Sequence, residues 1–354
     1  MKLRSQIIVK SLAFFAILMS AACAQSASIP ASDRLSPNVQ IPFGNLEITP
    51  HFGNVVYAAQ PDVDTVNMFE DQGFDLVINI RELNEDLGFD EKTLVEEQGI
   101  TYMRIPYMQE PSFESEFSDA ALSKIKAAID DGTAKGQKIL LHCSHGQRAG
   151  STLGAILYRD YGYSKEAAFE AATQAGMVSE WSVPRFERMI ERSVQKIEPF
   201  GGIKNMVKYK NFYISSQPPA EAFPMMKERG ITTVISNRAA IENDGFHEES
   251  HTESAGLKFH RARIYNDRYG DINDGKLNVD ELEKALGIIA NTTDGDVLVH
   301  CGSGDRASMI LATYLFSMDK ENAVEALSKA RIAGLEHAGI TEQLELYMGI
   351  KKGQ

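Results

Sequence analysis

Leu141-His142-Cys143-Ser144-His145-Gly146-Gln147-Arg148 is answered 158 positions later by Val299-His300-Cys301-Gly302-Ser303-Gly304-Asp305-Arg306. Each copy follows an apolar run rich in strand formers, Lys138 to Leu141 and Val297 to Val299. Each leads into a helical pattern, Ser151 to Tyr158 and Ser308 to Phe316. A Cys at a strand end, a short Gly-containing loop and an Arg opening a helix make a site for an anion. Loop and first-turn amides point inward, and the helix dipole adds positive potential. That field favours a thiolate nucleophile. The Arg fork can hold two oxygens of a tetrahedral oxyanion.

Outward from the loops, the rest of the chain repeats at nearly the same interval. Gln60 and Gln217 stand 157 apart, as do Arg81 and Arg238. A drift of one residue over that span points to duplication, with units too long for a solenoid. The first copy reads as strand Val55–Tyr57, a turn, helix 64–72, strand 74–80, helix 91–98 and strand 101–105. A helix capped by Ser118, the strand before Cys143, and helices near 151–161 and 164–175 follow. Strands alternating with helices predict an α/β fold: two tandem units, each a mostly parallel central sheet flanked by helices, with the Cys loops at the strand C-terminal ends. The expected organisation is a signal peptide at 1–24, a linker or arm at 25–50, and units at 51–198 and 199–354.

Lys2, Arg4 and Lys10 precede an uncharged run from Leu12 to Met19 and small residues to Ala24, the pattern of a secretory signal. Soluble export to a periplasm or the medium is expected, with lipidation of Cys23 as the lesser reading. The run is too short for a membrane span. Loss of three cations takes the formal charge from −13 to −16 (−13 − 3), which disfavours nucleic acid and anionic membranes as partners. Cys143 and Cys301, at equivalent interior positions, read as two free thiols and not as a disulfide. Asp271 to Gly275 is one residue short of a calcium loop, and Asn278 to Glu281 reads as a capping box. Arg81 and Arg238 read as sheet-bracing ion pairs, His145 as solvent-facing, and Trp181 as core or interface packing.

His-Cys-x-x-Gly before an Arg, with Tyr57-x-x-Gln60-Pro61, Ile214-x-x-Gln217-Pro218, Val77-Ile78-x-x-Arg81 and Val234-Ile235-x-x-Arg238, resembles the protein tyrosine and dual-specificity phosphatase superfamily, in particular its small bacterial branch. The resemblance covers nearly all of residues 50 to 350, twice. It implies a phosphatase with Cys143 and Cys301 as nucleophiles and Arg148 and Arg306 as oxyanion ligands. His142 and His300 would support the loops. The anion-binding loops would be Ser144, His145, Gly146 and Gln147, and Gly302, Ser303, Gly304 and Asp305. A phosphatase needs a general acid; Glu110 and Asp267, 157 apart, are the expected ones. No cofactor and no metal is implied, and the partner is a phosphorylated substrate of open class. The four-residue Cys–Arg spacing matches rhodanese-type sulfurtransferases instead, and Ala149 and Ala307 replace the hydroxyl residue that commonly follows the phosphatase Arg. A Cys persulfide carrier and a non-catalytic phospho-ligand binder are therefore the alternatives. Asp305, beside Arg306, is expected to weaken the second loop for anions relative to the first.

Overall fold

The computed structural model describes residues 42–239, 242, 245–264 and 277–350. The expected signal peptide with Cys23, most of the 25–50 arm, the acid Asp267 and the Asp271–Gly275 stretch lie outside the described residues. The chain builds two mostly parallel sheets flanked by helices.

The first sheet contains β1 (His51–Phe52), β2 (Val55–Ala58), β3 (Leu76–Asn79), β4 (Thr101–Arg104) and β5 (Ile139–His142), in the order β1-β2-β5-β3-β4. Only β1 is antiparallel to its neighbour. β2, β3 and β5 are buried throughout and apolar except for Asn79 and His142 at the ends of β3 and β5, as strands covered on both faces must be. Alternate residues serve opposite layers: Val55, Tyr57, Ile78 and Leu141 enter one core, and Val56, Ala58, Val77 and Leu140 the other.

The second sheet holds β6 (Gln195–Lys196), β7 (Val207–Tyr209), β8 (Phe212–Ser215), β9 (Ile231–Ser236), β10 (Lys258–Arg261) and β11 (Asp296–His300). Its order, β6-β7-β8-β11-β9-β10, repeats that of the first sheet with β6 added at the edge. β6 lies ahead of the boundary expected after residue 198, and it pairs antiparallel with β7. In both sheets the Cys-bearing strand is central, so its C-terminal end opens between two neighbours, as ligand sites in open α/β sheets do.

Helix starts follow side-chain chemistry. Asp62, Asp90, Ser118, Ser164, Asn278 and Asn322 each accept a hydrogen bond from a backbone N–H three residues on. The two loop helices differ: Gln147–Tyr161 and Asp305–Ser317 begin after Gly146 (φ 77°) and Gly304 (φ 117°), with no side-chain cap. A left-handed glycine there turns the chain sharply from loop to helix and, having no side chain, caps no first-turn amide. The helices start at 147 and 305, earlier than the apolar pattern suggests, so Arg148 and Arg306 sit in the first turn.

Candidate active site

Cys143 is 1% and Cys301 0% exposed, and both are free thiols. The first loop is stitched to the neighbouring strand end: Cys143 N donates to Ala58 O (3.3 Å) and Gln60 N donates to Ser144 O (3.2 Å). In the second, Gln217 N donates to Gly302 O (3.1 Å) and Gly304 N reaches Cys301 Sγ at 3.1 Å.

Beneath each loop runs a chain of buried polar groups that ties the Cys strand to the Arg. Glu91 receives Asn79 Nδ2 (2.6 Å), Gln60 Nε2 (2.8 Å) and Tyr102 Oη (2.9 Å), with His142 Nε2 at 3.2 Å from Oε1. Gln60 Oε1 accepts from Arg81 Nη1 (2.8 Å), and Arg81 Nε donates to Glu85 (3.0 Å). Glu85 also takes both terminal nitrogens of Arg148. The second half repeats the contacts: His300 Nε2 lies 2.6 Å from Glu248, Gln217 bridges Glu248 and Arg238, and Arg238 and Arg306 converge on Glu242. Glu85 and Glu242, like Glu91 and Glu248, stand 157 apart.

Burial pushes the Glu91 carboxyl upward, but the His142 charge and the donors from His142, Asn79 and Tyr102 outweigh it and hold it at about 2. Glu248 reaches about 2 against the same burial, through His300, Gln217 and Ser236. Glu85 also ends at about 2, chiefly through Arg148 acting against burial. The end-on pairing with Glu85 occupies both Nη atoms of Arg148 and leaves its Nε–H edge outside that pair, while Nη2 also reaches Ser144 Oγ at 3.1 Å. The Arg is thus oriented by a carboxylate while keeping a donor edge for an oxyanion. Arg81 and Arg238 brace the site through ion pairs, and Glu85, Glu91, Glu242 and Glu248 are members that the motif reading missed.

Cys143, Ser144, His145, Gln147 and Arg148 line a cavity of ≈ 430 Å³ whose walls include Phe113, Ser179 and Trp181. Trp181 is therefore a wall of the site and not simply core packing. Its Nε1 donates to Phe113 O (2.8 Å), and its ring packs edge-on to those of Phe113 and Phe117. Phe113, 56% exposed, lies 5.7 Å from the Arg148 guanidinium. The position corresponding to Trp181 in the second half is Gly339, 158 residues on.

Glu110 sits exposed on the same covering loop as Phe113 and is not among the residues lining the cavity. The loop is closed at its feet by Gln109 N donating to Glu116 O (2.9 Å) and the Met108–Phe117 bridge. His145 is exposed, with Nδ1 3.0 Å from Ser144 Oγ. Gln147 and Asp305 each turn a side-chain oxygen to a pair of backbone amides 31 and 32 residues further on. Gln147 Oε1 accepts from Val178 N (2.8 Å), Ser179 N (3.0 Å) and Ser182 Oγ (2.8 Å). Asp305 Oδ1 accepts from the equivalent amides of Glu336 (2.8 Å) and His337 (2.7 Å), and Oδ2 from Ser303 Oγ (2.7 Å). The hydrogen bonds from Ser303 Oγ and from the two amides hold the Asp305 carboxyl low against burial, so its negative charge is kept and is paired with donors.

No protein-family model matches the chain, and no curated protein does. Solved structures similar to it include TpbA of P. aeruginosa (18% identity, TM-score 0.33, 44% of this chain and 96% of that one). A candidate phosphatase of the DUF442 group from Shewanella putrefaciens CN-32 matches at 19% identity and TM-score 0.35, over 45% and 99% of the two chains. A third, from Neisseria meningitidis Z2491, gives 21% and 0.33, over 42% and 99%.

Proposed function

We propose that the protein is an exported, cysteine-dependent phosphoric monoester hydrolase built from two tandem copies of one unit, with turnover at the first site. The observation that carries the reading is Cys143 in a cavity shared with Arg148, whose guanidinium is held by Glu85. The Cys143 thiolate attacks phosphorus, and the P–O bond to the leaving group breaks. Glu110, on the covering loop, gives the leaving oxygen its proton. Water then hydrolyses the thiophosphoryl enzyme and regenerates the thiolate. Arg148 and the uncapped amides after Gly146 stabilise charge on the transferring group. Aromatic walls at the first site, and Gly339 in place of Trp181 at the second, support assigning turnover to Cys143.

The test compares the wild-type protein with Cys143→Ser and Cys301→Ser on an aryl phosphate, and on thiosulfate with cyanide. Aryl phosphate hydrolysis lost with Cys143→Ser and largely kept with Cys301→Ser is the expected result. Thiocyanate formation without phosphate release establishes sulfur transfer and overturns the proposal.

A further inference from the structure

The helix Asp119–Ala134 of the first half receives a carboxylate from the second. Glu325, 4% exposed, accepts from Ser118 Oγ (2.6 Å), Asp119 N (2.7 Å) and Ala120 N (3.2 Å). It stands on the helix Ala323–Ile332, which packs along Asp119–Ala134, with Ser123 and Ser328 hydroxyls 3.4 Å apart. Beside it the buried Lys329 bridges Asp119 (3.3 Å) and Glu321 (2.6 Å). An acid at the first turn of a long helix satisfies amides that have no partner within the helix.

Ser118 is also a foot of the covering loop. Its N–H donates to Tyr107 O (2.9 Å), and Tyr107 stacks on Phe117 at 4.9 Å between ring centroids. Between these feet the chain carries Glu110 and Phe113. The loop's far side is held within the first half: Arg185 donates to Ser115 O (2.8 Å) and Phe113 O (2.9 Å), and Arg188 pairs with Glu116. Among the described residues, the hydrogen bonds from Glu325 of the second half reach the foot. The arrangement is one-way. The position 158 residues before Glu325 is Ala167, which has no carboxylate to offer, and the helix Val279–Asn291 is capped by its own Asn278.

We propose that the second half positions the covering loop of the first site through Glu325, so that Glu325 is a positioning residue for a cavity it does not touch. The kinetic part rests on the phosphatase reading. The structural part does not.

Trp181 is the chain's one tryptophan and is bonded to the loop at Phe113 O, so its fluorescence reports loop placement whatever the activity. In the full chain, Glu325→Ala and Ser118→Ala are each expected to raise acrylamide quenching of Trp181. Each should also lower kcat for an aryl phosphate by about tenfold or more. The inhibition constant of inorganic phosphate should stay within about twofold, because the Cys143 loop has its own anchors. Glu325→Gln, which keeps one acceptor oxygen, should restore part of both signals, and the double variant should add little to either single one. A folded variant with wild-type quenching and wild-type kcat overturns the inference. So does a parallel loss of phosphate affinity, which would mean general disruption. If Glu325→Ala fails to fold, Ser118→Ala and Glu325→Gln decide. If the wild-type protein shows no phosphatase activity, quenching alone decides, and the phosphatase reading fails separately.

Discussion

Replacing Glu91 by Gln tests whether the buried network holds the first site together. The carboxylate has no exposed side-chain surface; hydrogen bonds from Gln60, Asn79 and Tyr102 converge on it, and His142 Nε2 lies 3.2 Å away. An amide of the same shape keeps one acceptor oxygen and turns an NH₂ toward groups that themselves donate. Loss of two charge-assisted hydrogen bonds is worth about 3–5 kcal/mol. A second route gives a similar figure. A carboxyl held at about 2, against an ordinary value of 4.5, contributes about 3 kcal/mol of stability at neutral pH. The sign follows from the depressed folded value: the contribution is full above the unfolded value near 4.5 and is lost as pH falls toward 2. By pH 3 more than about half of it is gone. Equilibrium urea unfolding of the wild-type and Glu91→Gln proteins at pH 7, 4.5 and 3 should therefore show a gap of about 3 kcal/mol that narrows with acid. A gap below about 1 kcal/mol at pH 7, or one that does not change with pH, refutes the reasoning.

Three further outcomes are expected. Gly154→Ala should destabilise by about 1–3 kcal/mol despite alanine's better helix propensity, because the added Cβ would stand 2.5 Å from Ala168 O and 2.7 Å from Ala172 Cβ; thermal unfolding shows it, and a raised melting temperature counts against the packing described. Asp305→Ala should lower stability by about 1–3 kcal/mol through three unmet donors, while Asp305→Asn loses less and leaves phosphate affinity at the second loop little changed; tighter binding in the Asn variant, read by titration calorimetry on the Cys143→Ser background, would restore the repulsion argument. Glu110→Gln should slow aryl phosphates with poor leaving groups by ~10²–10⁴-fold and hardly touch good ones; equal slowing of both, in steady-state assays, removes Glu110 as the acid.

The parts of the fold and site legible in the sequence were those written in residue type and order. The apolar runs before Cys143 and Cys301 became central strands because buried parallel strands need continuous hydrophobicity. Gln60, Arg81 and their partners were found by their interval. Glu85 and Glu91 were not, because a carboxylate in a chain with 49 acids looks like a solvated one until its donors are seen. Their only sequence signal was the same 157-residue interval. Trp181 packs against the core as its sequence context suggests, but its place in the cavity wall is not legible there because it has no counterpart: Gly339 takes its position, and the fold brings Phe113 to it across 68 residues. The direction of the Asp305 side chain is not legible in the sequence because it is set by amides 31 and 32 residues away.

The loop helix Gln147–Tyr161 meets its neighbour Lys165–Gln174 almost backbone to backbone. A Cβ at Gly150 would stand within 3 Å of Ala172 O, Met177 N and Ala175 O. In the second half Ser308, 158 positions on, bonds to Ala333 O at 2.8 Å instead. Helices so keyed cannot slip by a turn or roll to retune the spacing between thiol and guanidinium. The two Cys–Arg loops are thereby packed against a fixed backbone. Access to the first of them passes the strap bearing Phe113, so association of a ligand there should be limited by access.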